Sequence, residues 1–418
     1  MKNKEVGAAE SRMHYGFVIV ACCCLMMGVC VGLTFSCAGI FYKPVSESLG
    51  VPVGEFGIYM SVMYITSTLM LSVAGNMIEK YSARKLFAGN AAVMGLTFLA
   101  MSTFSSVWGF YVAGGVLGIT LAFLLYLSFP TLVNRWFHTR VGLMIGICSA
   151  ASGVGGMIFN PMAGWIISTW GWRWGYAVFG IIILVFVTPL LFLFLSDHPA
   201  DKGLLPYGAK PESSTAKSKV AAAEGRTFKE AARSPLFYAL ILFAFLMMGI
   251  STLNLFIPGY VTDHSFTLEE AAVVAAVVMA GVTVGKIVLG WINDRSSLYG
   301  VLVTTLFGAL GLWVLLMGAG NYLMILCGAF LFGWEYAGVT VQTAMLTRTV
   351  FGSRDYARIY SIISIALAAG GALASGGWGL LADATSTPVI FEVGVGGLIV
   401  CMLIGVWSLM GRRKAHHS

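Results

Sequence analysis

The sequence predicts an all-α polytopic membrane protein, with twelve transmembrane helices arranged in two six-helix halves. Three observations carry that prediction. Hydrophobic residues make up 58 % of the 418-residue chain and charged residues 10 %, at a mean hydropathy of +0.86. That is more apolar surface than a soluble domain can bury, and a disordered chain would hold far less. The apolar stretches are long and continuous, as a helix of roughly 20 residues needs in order to cross about 30 Å of hydrocarbon. Barrel strands would instead alternate over about 10 residues. Finally, one short motif recurs in corresponding loops 215 residues apart, after the second and the eighth apolar stretch.

The expected spans lie near 15-41, 55-78, 86-106, 108-134, 141-168, 174-195, 236-260, 268-292, 299-319, 321-347, 357-382 and 388-411. The first follows a polar head with Lys2, Lys4 and Arg12, but it is too long for a signal peptide and no small-residue cleavage site follows. Of the 25 Lys and Arg, 22 fall in the termini, the loops after spans 2, 4, 8 and 10, and the segment 196-234; Lys43 and Arg173 occupy the alternate loops, and Lys286 stands inside a span. Positive charge stays on the cytoplasmic side, so both termini are expected there, in a bacterial inner membrane. The net charge of +7 thus reports topology and gives no reason to invoke nucleic acid. The eight cysteines all fall in spans without CxxC spacing, and are read as small apolar packing groups.

The expected domains are an N-terminal bundle 1-195, a polar linker 196-234 and a C-terminal bundle 235-418. The linker contains KPESSTAKSK and cannot pack a core, although a short amphipathic helix is expected around Phe228. The repeated motif is GNMIEK, with Gly75, Glu79 and Lys80, and GWINDR, with Gly290, Asp294 and Arg295. Its glycine would let helices approach closely, and its acid–base pair would link to a neighbouring helix at a gate, with Arg84 beside the first copy. Six plus six helices with an internal repeat is the layout of an alternating-access transporter whose site lies between the halves.

GNMIEKYSARK resembles the loop between helices 2 and 3 of the major facilitator superfamily, with Glu79 for the usual Asp and Ser82 and Ala83 interrupting the later Gly-Arg. Closer resemblance is to the branch holding monocarboxylate transporters and oxalate/formate antiporters. HYGFVIV and FSCAGIFYKPVSESLG frame span 1, Tyr126 precedes Asn134-Arg-Trp-Phe by eight residues, and VGLMIGICSAASGVGG, GWRWGYAVFG and GKIVLG follow in family order. Lys286 stands where the branch has an arginine that contacts the substrate carboxylate. The resemblance implies that Tyr126 contacts substrate. It would also put a proton-coupling acid four residues before Lys286, where this chain has Val282, and a second helix 11 cation where it has Ala366 and Leu367.

The residues support a similar chemistry independently. A lysine deep in a span costs about 3 kcal/mol, so it faces a cavity or a partner, unless it stretches to the interface. Its ammonium would attract a carboxylate. Glu335 is the other deep charge, readable either as a static partner of Lys286 or as a proton-linked one. One central cation suits one carboxylate, so the expected substrate is a small monocarboxylate such as lactate or pyruvate, moved with a proton. Phe35, Ser36, Asn160, Asn254, Tyr336 and Ser364 could line the path, helix packing being the alternative for each. Gly28/Gly32, Gly142/Gly146 and Gly281/Gly285 are expected to make close helix contacts. No nucleotide loop, metal cluster or nucleophile triad is seen, so neither an enzyme nor a cofactor is expected. A monomer in the lipid bilayer is expected. Exchange of oxalate/formate-type or other organic acids, and export of drugs or metabolites, stay open as alternatives.

Overall fold

The structure is a computed structural model, which describes residues 14–209, 225–352 and 354–415, apart from the side chains of residues 72, 79, 126, 357 and 412–415. Twelve long helical runs form among the described residues. The first half holds α1 (Gly16–Leu49), α2 (Val53–Lys80), α3 (Ala83–Met101), α4 (Val107–Trp136), α5 (Val141–Trp170) and α6 (Trp172–Phe194). The second holds α7 (Pro235–Leu255, prolonged by Ile257–Asp263), α8 (Leu268–Arg295), α9 (Ser297–Met317), α10 (Tyr322–Phe351), α11 (Tyr356–Ala384) and α12 (Thr387–Ala415). Ten of these are long and apolar enough to cross a membrane; α2 and α3, at 28 and 19 residues, complete the set. Their outward apolar side chains, such as Val112 at 70 % exposure, would be untenable in water and suit hydrocarbon. Both described chain ends lie on one face, called here the terminal face; the other is the far face.

Local sequence sets the ends of several helices. Gly50, at φ 67°, closes α1, and Gly171, at φ 87°, separates α5 from α6; only glycine takes such angles freely. Thr267 caps α8 by accepting the Glu270 N–H at 3.2 Å, while Glu270 returns a bond to Thr267. α1 passes through a π-helical stretch, Met26–Ser36, and α4 through another, Ala122–Leu127. Such widened turns recur at functional positions, and the first carries Phe35 and Ser36.

Small residues bring the helices together. A Cβ placed on Gly281 would lie 2.2 Å from Phe330 O, and one on Gly155 would overlap Gly28 O, so α8 meets α10, and α5 meets α1, backbone to backbone. Gly32 and Gly285 make similar contacts, with Gly155 and Trp334. By contrast, Gly142 and Gly146 face open space: a methyl group at either would find nothing within 4 Å. The same is true of Gly75 and Gly290, so the repeated motif does not draw helices together through its glycines.

The linker is tied down at both described ends. Tyr207 N–H donates to Trp136 O at 2.8 Å in the first half, and Arg226 N–H donates to Phe351 O at 2.8 Å in the second. The short helix expected around Phe228 spans Phe228–Ala232. KPESSTAKSK lies outside the described residues. Cys22, Cys23, Cys30, Cys37, Cys148 and Cys401 are buried as packing groups, whereas Cys327 is exposed.

These contacts imply a contrast that unfolding of the purified protein can read. Gly281→Val should lower the thermal midpoint through overpacking of about 1–3 kcal/mol, while Gly290→Ala should leave it unchanged or raise it.

Candidate functional site

The halves meet along two long seams, α5 against α8 and α2 against α11, with the ends of α1 and α7 closing between them. On the far face the closure is polar. Lys43 forms an ion pair with Asp263 and a 3.3 Å hydrogen bond to Thr262 Oγ1. Gly54 N–H donates to Asp383 Oδ2 at 2.8 Å, Ser168 Oγ donates to Glu269 Oε1 at 2.8 Å, and the Ser61 and Ser375 hydroxyls meet at 2.9 Å. A Cβ on Gly54 would lie 2.5 Å from Gly379, which makes this crossing one of backbones.

Deeper in the interface lies a small chamber. It is lined by Phe35 and Tyr64 from the first half and by Ser251, Thr252, Asn254 and Tyr336 from the second, with Met60 and Leu255. Its volume is about 10 Å³, room for about one water. The Phe35 and Tyr64 rings stand 5.3 Å apart. Ser251 and Thr252 donate their hydroxyls to Met248 O and Gly249 O of their own helix, whereas Asn254 Oδ1 is buried without a partner. That oxygen is an acceptor the chamber can offer a guest.

Lys286 sits on α8 nearer the terminal face. Its Nζ donates across the seam to Ser149 O at 3.3 Å and Ser152 Oγ at 3.4 Å, both on α5. Among the described residues no carboxylate pairs with it. Lys286 thus ties the halves at this level, as Lys43, Gly54, Ser61 and Ser168 do toward the far face. α8 continues to Arg295, further than the expected end near 292, which leaves Lys286 deeper in its helix.

Several expected roles change on this geometry. Glu335 makes no ion pair with Lys286: it is 0 % exposed, neither oxygen has a hydrogen-bond partner, and its Cβ faces Gly308 of α9, 2.5 Å from a methyl placed there. Phe35, Asn254 and Tyr336 do come together, but Ser36, Ser364 and Lys286 are not among the chamber's lining residues. The Ser36 backbone O accepts from Asn160 Nδ2 of α5 at 3.1 Å, and Ser364 Oγ donates to Tyr360 O of its own helix at 2.9 Å. The Tyr126 and Glu79 side chains lie outside those described.

The gate motif also behaves differently from expectation. Arg84 fixes α3 to the end of α6, through Nε to Leu195 O at 2.6 Å and its N–H to Asp197 Oδ1 at 2.9 Å. Lys80 rests over the Tyr81 ring at 5.6 Å. Arg295 folds back over Trp291, 3.6 Å from the ring centroid, and Asp294 is exposed, so the cross-helix link comes from buried Asn293, whose Nδ2 donates to Gln342 Oε1 at 2.8 Å. Sequence reading missed Asn293, Gln342, Tyr64, Ser149 and Ser152. A polar residue directly before the charged pair at the helix end was the available signal for Asn293.

The far-face closure is open to a direct check. In a cysteine-free background, Ser61→Cys with Ser375→Cys should cross-link on mild oxidation, visible as a mobility shift, and should arrest transport until reduced.

Comparison with known proteins agrees with this architecture. The chain is 23 % identical to the uncharacterised transporter YcxA of Bacillus subtilis over 90 % of its length and 92 % of that protein. It is likewise 23 % identical to the hexuronate transporter of Escherichia coli K12, covering 88 % of each chain. Among solved structures, a bacterial homologue of the human lysosomal transporter Spinster, in an inward-facing, unoccupied conformation, superposes over 96 % of both chains with a TM-score of 0.70 at 15 % identity. The Major Facilitator Superfamily profile matches residues 24–345 and 247–418. Twelve helices in two facing halves, a chamber between them and that match together establish the chain as a multi-pass membrane transporter belonging to the major facilitator superfamily.

Proposed function

We propose that this transporter moves a small organic monocarboxylate, lactate or pyruvate being the first to try, together with a proton, by alternating access between its halves. Lys286 carries the reading. Its ammonium lies in the seam, bound only to neutral oxygens of the opposite half, and a substrate carboxylate would be a stronger partner than either. Exchanging those two bonds for a bond to substrate would loosen α5 from α8, coupling occupancy to movement of the halves. Phe35, Asn254 and Tyr336 would enclose the rest of the molecule, and the family resemblance assigns Tyr126 to the substrate as well.

Further support comes from the comparisons, since the hexuronate transporter is by its name a carrier of an organic acid. That relative also favours a second reading, in which the acid is a hydroxylated sugar acid and Asn254 Oδ1 accepts from a hydroxyl. Orientation follows from the cations: the terminal face, with the linker 196–234, is cytoplasmic in a bacterial inner membrane. The transporter works as a monomer in this reading.

Glu335 is the group proposed to carry the coupled proton. A carboxyl group buried without any hydrogen-bond partner is costly in its charged form, which makes it a proton-binding position inside the second half.

Uptake of radiolabelled lactate, pyruvate and galacturonate into proteoliposomes, with and without an imposed proton gradient, tests the whole reading. Lys286→Gln should abolish uptake of whichever acid is carried, and Lys286→Arg should retain part; full uptake by Lys286→Gln would remove the anchor. Glu335→Gln should retain exchange of internal for external acid yet lose its response to the gradient. An unchanged response would return Glu335 to packing.

A further inference from the structure

On the terminal face, apart from the chamber, the linker's second anchored end meets the start of α11 around a solvent-open cavity of about 530 Å³. Such a volume is in the range of small-ligand sites. Thr227, Phe228 and Ala232 form one wall, and Lys229, Arg233 and Arg358 bring three cations to it, with Asp355 as the one acid in the lining.

The local charges are not matched. Asp355 Oδ2 accepts the Phe228 N–H at 2.7 Å, and the nearby Glu230 accepts the Thr227 N–H at 2.8 Å. The same Thr227 contacts hold the Glu230 carboxyl below the usual carboxylate range. Each acid accepts a backbone N–H that fixes the short helix, and the lining still holds three cations to one acid. Among the described residues none of Lys229, Arg233 and Arg358 forms an ion pair. Arg358 lies 4.5 Å from the Phe228 ring centroid, so its guanidinium is positioned by stacking while its N–H donors remain available.

We infer that this cavity is an anion site for a phosphate group, held by Lys229, Arg233 and Arg358 where the linker crosses the start of α11. A planar guanidinium set by stacking suits phosphate oxygens, and two flexible cations can close on the remaining ones. Tyr238, 61 % exposed on the first turn of α7, puts an interfacial aromatic next to this region, the level at which phospholipid headgroups lie. The phosphate can therefore come from an anionic lipid headgroup or from a free phosphate compound. In either case its binding would clamp the linker to the second half through Phe228 and Asp355.

The test uses the intact chain in detergent micelles, with native mass spectrometry as readout. Short-chain phosphatidylglycerol, phosphatidylcholine of equal chain length and inorganic phosphate are titrated separately. Lys229→Gln combined with Arg233→Gln should weaken retention of the bound anion about twenty-fivefold, near fivefold for each cation removed. Arg233→Lys should leave it almost intact. Both altered residues are exposed, so unchanged thermal unfolding without ligand separates lost binding from lost folding. Preferred retention of phosphatidylglycerol assigns the site to a lipid headgroup, and retention of inorganic phosphate alone assigns it to a soluble compound. Equal retention by wild type and double variant, or no preference for phosphatidylglycerol over phosphatidylcholine with no phosphate binding, overturns the inference.

Discussion

An ammonium group cannot rest against hydrocarbon, and much of this architecture is arranged so that Lys286 does not have to. α8 turns that position toward α5, and the two helices can come close because small residues line the seam. A Cβ on Gly153 would lie 2.2 Å from Thr283 Oγ1, and one on Gly164 would lie 2.4 Å from Ala272 Cβ. Serine and backbone carbonyl groups of α5 then take the place of water around the cation. The opposite seam, α2 against α11, has no such charge in its middle and relies on hydroxyl pairing and glycine contact instead. One interface is thus held by an electrostatic need that a ligand could meet, and the other by packing that a ligand cannot replace.

Much of the fold was legible in the sequence because lipid imposes a simple rule on the backbone. Twelve apolar runs became twelve helices, and the seam cation was visible as a break in apolarity. What composition could not supply was the rotation of each helix. Gly75 and Gly290 have the residue type of a packing glycine but face open space, whereas Gly281, in an equally plain stretch, meets a backbone carbonyl. Asn254 and Tyr336 were nominated on polarity and lie in the chamber, yet Ser364, nominated in the same way, bonds to its own helix. Short-range polarity does not say which way a side chain faces. Glu335 is the clearest instance: its sequence depth suggested Lys286 as partner, and its rotation toward Gly308 points it elsewhere.

The second half also contains a line of buried polar atoms, some bonded across helices and some without partners. Asn293 and Gln342 bond to each other near the terminal face, Gln342 Nε2 donates to Ser297 O at 3.3 Å, and Thr304 Oγ1 and the Glu335 oxygens are left without partners. Buried polar groups without partners are costly, and a fold keeps few of them. Among the described residues, those of Thr304 and Glu335 lie where α9 meets α10.

The chamber's smallness has a consequence for affinity. A space that holds about one water cannot receive an organic acid without first widening, so binding must draw on a wider shape than the one described. Apparent affinity then equals intrinsic affinity scaled by the fraction of molecules already widened. Side chains far from any guest, such as the Lys43–Asp263 pair that fastens the outer rim, enter the dissociation constant through that fraction alone. Substrate selectivity in such a carrier is consequently distributed: part is written in the groups that touch the acid, and part in how readily the empty cage yields.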